Sequence, residues 1–297
     1  MTARAREPLA LLVERVAGLV TVQDLGRPGH AHLAVPRSGA LDAASLADAN
    51  RLLGNPPGAA GLELAAAELA LRADGRFVVA VTGAACPVTV DGSAAAWGQP
   101  VLVPDGSVLA LGRAIAGVRS YVAVAGGVGV PLTLGSRSTD VLSGLGPAPL
   151  AVGDRLACAT ETAGLPSTNW GHVEGRWRSG AATLRLHPGP RLDWFAAVAW
   201  DVLVRARWTV TGESNRVGLR LDGPALARHA HARGELPSEG LVTGAVQVPP
   251  SGQPIVFLAD HPTTGGYPVI AVVDPADLDR CGQLRPGDVV RLTRAAG

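Results

Sequence analysis

Short apolar runs rich in Val and Leu recur along this chain, each bounded by Gly, Pro, Asp or Ser. Runs of that kind predict β-strands joined by tight turns. In the first half they fall at Leu9–Val16, Leu19–Val22, His32–Val35, Leu62–Leu64, Glu68–Leu71, Phe77–Val81, Val88–Val90, Val101–Val103, Ser107–Leu111 and Arg119–Ala125. Asp91-Gly92 predicts a hairpin turn after Val90. In the second half the runs are Thr183–Leu186, Trp208–Val210, Leu219–Leu221, Val256–Ala259, Pro268–Val273 and Val289–Thr293.

Two segments break this pattern with helical spacing. Asp42–Gly54 places Leu46, Ala49, Leu52 and Leu53 on one rough face, with Asp42 at the N-cap position and Gly54-Asn55-Pro56 as the stop. Asp193–Val204 has Trp194, Phe195, Val198, Ala199 and Leu203 at similar intervals. Residues 160–182 are rich in Gly, Ser, Thr, Asn and Trp and show no period. They read as a linker, with Trp170 and Trp177 packed on a lobe. The expected organisation is an N-terminal β lobe over 1–159 and a C-terminal β lobe over 183–297. Gly153-Asp154-Arg155-Leu156 and Gly287-Asp288-Val289-Val290 close the two regions in similar fashion, which suits related lobes.

Composition sharpens this. Thirty-eight glycines and 23 prolines fit a turn-rich β chain, and 47% apolar content excludes disorder. A net charge of +1 with no basic run argues against nucleic acid as a partner. Cys86, Cys158 and Cys281 lie far apart, so neither a disulfide framework nor a metal spacing is visible, and an intracellular protein is expected. The N-terminal segment lacks the apolar core of a signal peptide, and no apolar run is long enough to span a membrane. The expected location is cytoplasmic.

The densest chemistry lies after Ser238. Val256–Ala259, a loop over Asp260–Gly266 and Pro268–Val273 read as a hairpin or sharp crossing. The loop carries Asp260, His261, Thr263, Thr264, Gly265 and Gly266, and Tyr267 follows. Other polar groups sit in loops: Gln23, Asp24 and Arg27; Arg37, Ser38 and Asp42; Arg137, Ser138 and Thr139; Ser214, Asn215 and Arg216; Ser238 and Glu239. Arginines in Gly-rich turns suit a carboxylate or phosphate, since guanidinium offers two parallel donors. An acid such as Asp24, Glu239 or Asp260 could activate water. Structural salt bridges and solvated turns account for the same residues equally well. Several classes are excluded: there is no G-x-S-x-G, no H-E-x-x-H and no Walker A lysine. Gly126–Pro131 lacks the G-x-G-x-x-G spacing, and the pairs His30/His32 and His229/His231 have no third ligand, so no metal is expected. Cys86 reads as an ordinary buried thiol.

Ordered motifs extend across the chain: TVQDLGRPG, PRSGALD before ANRLLGN, RSYVAVAGGVGVP, LGSRSTD, SNRVGLRLDG, SEGLVTGAVQVPPSGQPI and ADHPTTGGYPVIAVV. In these the chain resembles the biotin-dependent carboxyltransferase-like family. That family includes the C-type subunit of 5-oxoprolinase, the protein long called allophanate hydrolase subunit 2, and an antagonist of a sporulation-kinase inhibitor. The resemblance implies a mainly β fold of two cyclophilin-like β-barrel lobes with a few short helices. It implies the A-type and B-type subunits of 5-oxoprolinase as partners, the B-type being allophanate hydrolase subunit 1-like. It also implies ATP-dependent opening of 5-oxo-L-proline to L-glutamate. ATP is then required by the complex, and no biotin is attached to this chain. The alternatives are a carboxyltransferase acting on urea or a related amide, and a non-catalytic regulatory protein that binds a kinase-inhibitor-type partner. Motif by motif, the resemblance marks Asp260, Glu239 and Arg137 as catalytic candidates. It marks Gln23, Asp24, Arg27, Ser38, Ser138, Thr139, Asn215, Arg216, Gln247, Thr264, Gly265, Gly266 and Tyr267 as substrate- or anion-binding candidates. Where many members read ADRQTTGGY, this chain has His261-Pro262, so His261 is a poor catalytic candidate.

Overall fold

The computed structural model describes residues 9–158, 177, 181–229, 232 and 236–295. Most of the expected linker at 160–182, with Trp170, lies outside them, as does His231. The chain forms two compact units. One takes the residues up to Gly26, Ala43–Thr139 and the segment from Gly144; the other takes Arg27–Asp42, Asp140–Ser143 and the chain from Ser179 onward. The units therefore interleave along the sequence.

The first unit is built on two long antiparallel strands, β1 (Ala10–Gln23) and β2 (Gly61–Asp74). The apolar pattern predicts each as two short strands. The ladder instead runs through register shifts at Val13/Arg15 and Ala17/Leu19. Gly18 at φ 98° and Ala66 at φ 47° absorb one of them, and a Cβ on Gly18 would lie 3.0 Å from Ala67. After α1 (Ala43–Leu52) and β2 come β3 (Phe77–Gly83), β4 (Val88–Val90), β5 (Ser93–Ala94), β6 (Pro100–Val103), β7 (Val108–Leu111), β8 (Arg119–Val124) and β9 (Arg155–Ala157). Asp91 and Gly92 both take positive φ, which makes the predicted hairpin between β4 and β5.

The sheet order is β5-β4-β7-β2-β8-β3-β6; off this path, β1 pairs with β2 and β9 pairs with β1. Alternation puts Leu69, Leu71, Val79, Val81, Val122 and Val124 into one core. Ala80 and Ala123 on the opposite face meet Ala49, Leu52 and Leu53 around α1. Each fully buried Leu or Val contributes about 1.5–3 kcal/mol. The expectation of two closed barrels fails here, because this nine-stranded sheet is open: its path ends at β5 and β6, which do not pair with each other.

The second unit does close. Its strands are β10 (Ala182–Pro188), β11 (Arg207–Val210), β12 (Gly218–Asp222), β13 (Glu239–Gly240), β14 (Ala245–Gln247), β15 (Ile255–Phe257), β16 (Thr264–Gly265), β17 (Val269–Val273) and β18 (Val289–Arg294). The barrel order is β10-β17-β14-β15-β12-β11-β18, and parallel pairing of β10 with β18 seals it. Leu184, Leu186, Trp208, Leu219, Val246, Val256, Ile270 and Leu292 fill the inside. The Trp208 indole N–H donates to the Leu203 carbonyl at 2.9 Å.

Three expectations change here. Val256–Ala259 overlaps β15 and Pro268–Val273 contains β17, but β14 lies between the two strands and pairs with both. They are therefore not a hairpin. The predicted helix from Asp193 starts later, as α2 (Ala197–Arg205), because Phe195 is extended and bridges Arg228. His32–Val35 is no strand: Ala31–Leu33 is a 3-10 turn closed by Ala34 at φ 58°. A short α3 (Leu278–Cys281) precedes the last strand. Among the described residues no helix is long and apolar enough to cross a membrane.

Candidate functional site

In the first unit, Asp24 follows β1 and its carboxylate meets the loop Ser136–Ser138. Oδ1 accepts the Ser136 hydroxyl at 2.6 Å, the Ser138 hydroxyl at 2.5 Å and the Gly26 amide at 2.7 Å. Oδ2 accepts the Arg137 amide at 2.6 Å. Next to it, Gln23 Nε2 donates to the Thr139 carbonyl at 3.0 Å, and the Thr139 amide donates to Val22. Gln23, Asp24, Ser138 and Thr139 are thus brought together and buried. Arg137 Nε bonds the Val130 carbonyl at 2.8 Å on the half-buried edge of this group. A carboxylate so engaged with neutral donors is poorly placed to activate water, and it acts as a clasp between two loops.

In the second unit, Arg216 and Asp260 form a buried bidentate pair, 1% and 0% exposed. Nε to Oδ2 is 2.8 Å and Nη2 to Oδ1 is 3.0 Å. Nη2 also donates to the Gly39 carbonyl at 2.7 Å, and the Val141 amide donates to Asp260 Oδ2 at 3.1 Å. Ser38, next to Gly39, is buried, and its amide donates to the Ala259 carbonyl. It holds φ 53°, a costly value for a residue with a side chain. Arg27 is also buried, with its amide on the Arg37 carbonyl. The His261 ring meets the Pro262 carbonyl at 2.7 Å, and burial holds it below the ordinary histidine value. Asn215 stands apart: its carboxamide oxygen accepts the Val217 and Gly218 amides to cap its own turn.

The remaining candidates gather at the surface of the second unit. β13 and β16 form a two-stranded ladder that sets Glu239 opposite Gly265 and Gly240 opposite Thr264. Gln247 on β14 donates to the Tyr267 carbonyl at 2.7 Å. A Cβ on Gly265 would come within 2.8 Å of both Gln247 Nε2 and Leu241 Cδ1, so a side chain there would push these two side-chain ends aside. Thr264 and Tyr267 are exposed, and Glu239 and Gly265 half-buried. Gly266 continues the loop between them. Arg191 chelates Glu239 through Nε at 3.0 Å and through Nη2. The guanidinium hydrogen bonds hold the Glu239 carboxyl below its usual range and raise Arg191 in return. The Arg191–Glu239 pair and the exposed Thr264 and Tyr267 thus lie close together along this ladder and the loop that follows it. No group of three or more His, Cys, Asp or Glu residues able to hold a metal occurs among the described residues.

Two arginines of the second unit, Arg191 and Arg228, carry no local sequence signal. Arg191 lies 48 residues from its partner, in an unpatterned Gly-Pro turn. Its placement depends on Gly189, where a Cβ would sit 2.5 Å from the Val269 carbonyl.

Residues 33–294 match the family model described as carboxyltransferase domain, subdomain A and B. The chain is 37% identical to the C-type subunit of 5-oxoprolinase from Escherichia coli, over 96% of this chain and 91% of that protein. It is 31% identical to urea amidolyase of Saccharomyces cerevisiae, over 96% of this chain but only 17% of that one. Among solved structures, TTHA0988 superposes with a TM-score of 0.87 at 40% identity, covering 99% of this chain. The chain spans 57% of that protein's length.

Proposed function

The chain belongs to the carboxyltransferase domain, subdomain A and B, family, and from that premise we propose that it is the C-type component of an ATP-dependent 5-oxoprolinase. One observation carries the choice within the family. The 5-oxoprolinase components of Escherichia coli and Haemophilus influenzae are 37% and 32% identical to the chain, against 31% for the Saccharomyces cerevisiae urea amidolyase. In this reading, companions of the A and B types complete the enzyme.

The chemistry asked of such a complex is specific. A lactam is a weak electrophile. Transfer of the ATP γ-phosphoryl group to the lactam oxygen activates the ring carbon. Water then adds, the C–N bond breaks with a proton going to nitrogen, and the resulting acyl phosphate is hydrolysed by a second water to L-glutamate and phosphate. The surface around Glu239, Thr264 and Tyr267, with the buried Gln247 holding the Tyr267 carbonyl, supports a role in holding the lactam. Its hydroxyl and amide groups can hydrogen-bond a small polar ring, and the Arg191–Glu239 pair fixes the loop that carries them. A carboxylate kept ionised by a guanidinium is a weak base, so Glu239 is read as a positioning group. The buried Asp260 likewise positions Arg216 and the Gly39 backbone.

The test is reconstitution with purified A-type and B-type companions, 5-oxo-L-proline and ATP. Glutamate release that requires this chain is the expected result. Unchanged release on its omission would sink the reading. Carboxyl transfer from biotin to urea by the same preparation would support the amidolyase-like reading instead.

A further inference from the structure

Arg228 is an arginine that the second unit places without an acid. Its Nη2 donates to the Val248 carbonyl at 2.6 Å. Its Nε is buried and has no hydrogen-bond partner. Other arginines of the unit differ: Arg216 pairs with Asp260, Arg191 with Glu239 and Arg185 with Asp277. Among the described residues no carboxylate pairs with Arg228. Burial holds its guanidinium below the ordinary arginine value, with the Tyr267 phenol acting in the other direction. The group still carries its charge, because arginine does not deprotonate in proteins.

The backbone holds Arg228 firmly in place. Phe195 bridges it, the Ala196 amide bonds the Ala227 carbonyl, and the Leu226 amide bonds the Gly252 carbonyl. Gly252 sits at φ 80°, and a Cβ there would meet Ala225 at 2.9 Å, so the Pro249–Gly252 turn closes tightly on the 225–228 segment. Together they line a cleft of about 310 Å³ that includes Arg228, Pro250 and Ser251. Arg228 lines the cleft with a charge that no acid balances, and an anion bound there would supply the missing partner. Val248 follows Gln247 directly, and Tyr267 is close enough to influence the guanidinium electrostatically.

We infer that Arg228 and the Pro249–Gly252 turn form a binding subsite for the single carboxylate of a small, largely apolar molecule. One guanidinium offers one charge and two donors, which suits a monocarboxylate. The proline and alanine walls suit ring methylenes, and Ser251 offers one further hydroxyl. Applied to 5-oxo-L-proline, which rests on the function proposed above, the subsite takes the ring's carboxylate.

The test is titration of the full chain, alone and with its companion proteins, against 5-oxo-L-proline, acetate and the uncharged pyrrolidin-2-one. Two variants accompany the wild type: Arg228→Lys keeps the charge, and Arg228→Gln keeps a donor for Val248 without it. Circular dichroism melting confirms that both are folded. Binding of 5-oxo-L-proline should fall by about tenfold or more in Arg228→Gln and by less in Arg228→Lys, with pyrrolidin-2-one unaffected. Equal binding to wild type and Arg228→Gln overturns the subsite, as does failure of both carboxylates to bind wild type. Arg228-dependent acetate binding with no response to 5-oxo-L-proline upholds the anion subsite and counts against the 5-oxoprolinase reading.

Discussion

Removal of Asp260 is the most demanding check on the second unit. In Asp260→Ala the Arg216 guanidinium stays 1% exposed and keeps only the Gly39 carbonyl among the partners described above, while the Val141 amide loses its acceptor. Breaking a buried ion pair from one side costs about 3–5 kcal/mol, because the surviving charge is left uncompensated. Arg216→Met leaves the Asp260 carboxylate in the same position and should cost a similar amount. The double variant Arg216→Met/Asp260→Ala removes both charges. It should lose clearly less than the sum of the singles, with a coupling of about 1–3 kcal/mol. Urea unfolding followed by tryptophan fluorescence measures this, since Trp208 lies in the same barrel core. The matching fall in melting temperature for either single variant is about 10 °C. Strict additivity, or an Asp260→Ala protein within about 0.5 kcal/mol of wild type, would refute the claim that this pair holds the unit together.

Three further outcomes follow from the geometry. Gly265→Ala should displace Gln247 from the Tyr267 carbonyl, lowering glutamate release by the reconstituted complex while the melting temperature stays near wild type; unimpaired turnover would count against the surface cluster as the substrate face. Burial alone would raise the Asp277 carboxyl, but the Arg185 side chain and amide outweigh it and hold Asp277 below its ordinary value. Its contribution to stability is thus complete above the ordinary carboxylate range of about 4 and lost as pH falls through the lower folded value, so urea midpoints should drop less on acidification in Asp277→Asn than in wild type; parallel curves would refute this. Burial pushes the Cys158 and Cys281 thiols up to about 12, so an aromatic disulfide reagent at mildly alkaline pH should label them only after denaturant is added, and prompt labelling of native protein would contradict the packing.

The β class, the helix at α1 and the Asp91-Gly92 hairpin were legible because each depends on local pattern. Apolar alternation, a stop at Gly54-Asn55-Pro56 and positive φ at a Gly-containing turn are properties of neighbouring residues. The length of β1 and β2 was hidden, because Gly18 reads as a breaker until a partner strand carries the ladder past it. β14 was missed because its three residues sit between Gly244 and Pro249 with too little length to show a period. At the candidate site the polar loops were visible as groups, but their partners were not. Asp24 finds Ser136 and Ser138 more than a hundred residues away, and Glu239 finds Arg191 across 48. Closure of one sheet and not the other depends on whether the first and last strands meet, and that is decided by the sum of strand tilts and registers rather than by any one segment.

The interleaving of the two units bears on how the protein is made. Translation delivers Arg27–Asp42 early, yet the Gly39 carbonyl waits for Arg216, 177 positions downstream, and the Ser38 amide waits for Ala259. Until those residues leave the ribosome, the early segment lacks the contacts that fix it, and the barrel cannot be completed. A nascent chain of this design matures late and all at once, so premature termination anywhere before the last strand should yield material that chaperones retain or proteases clear.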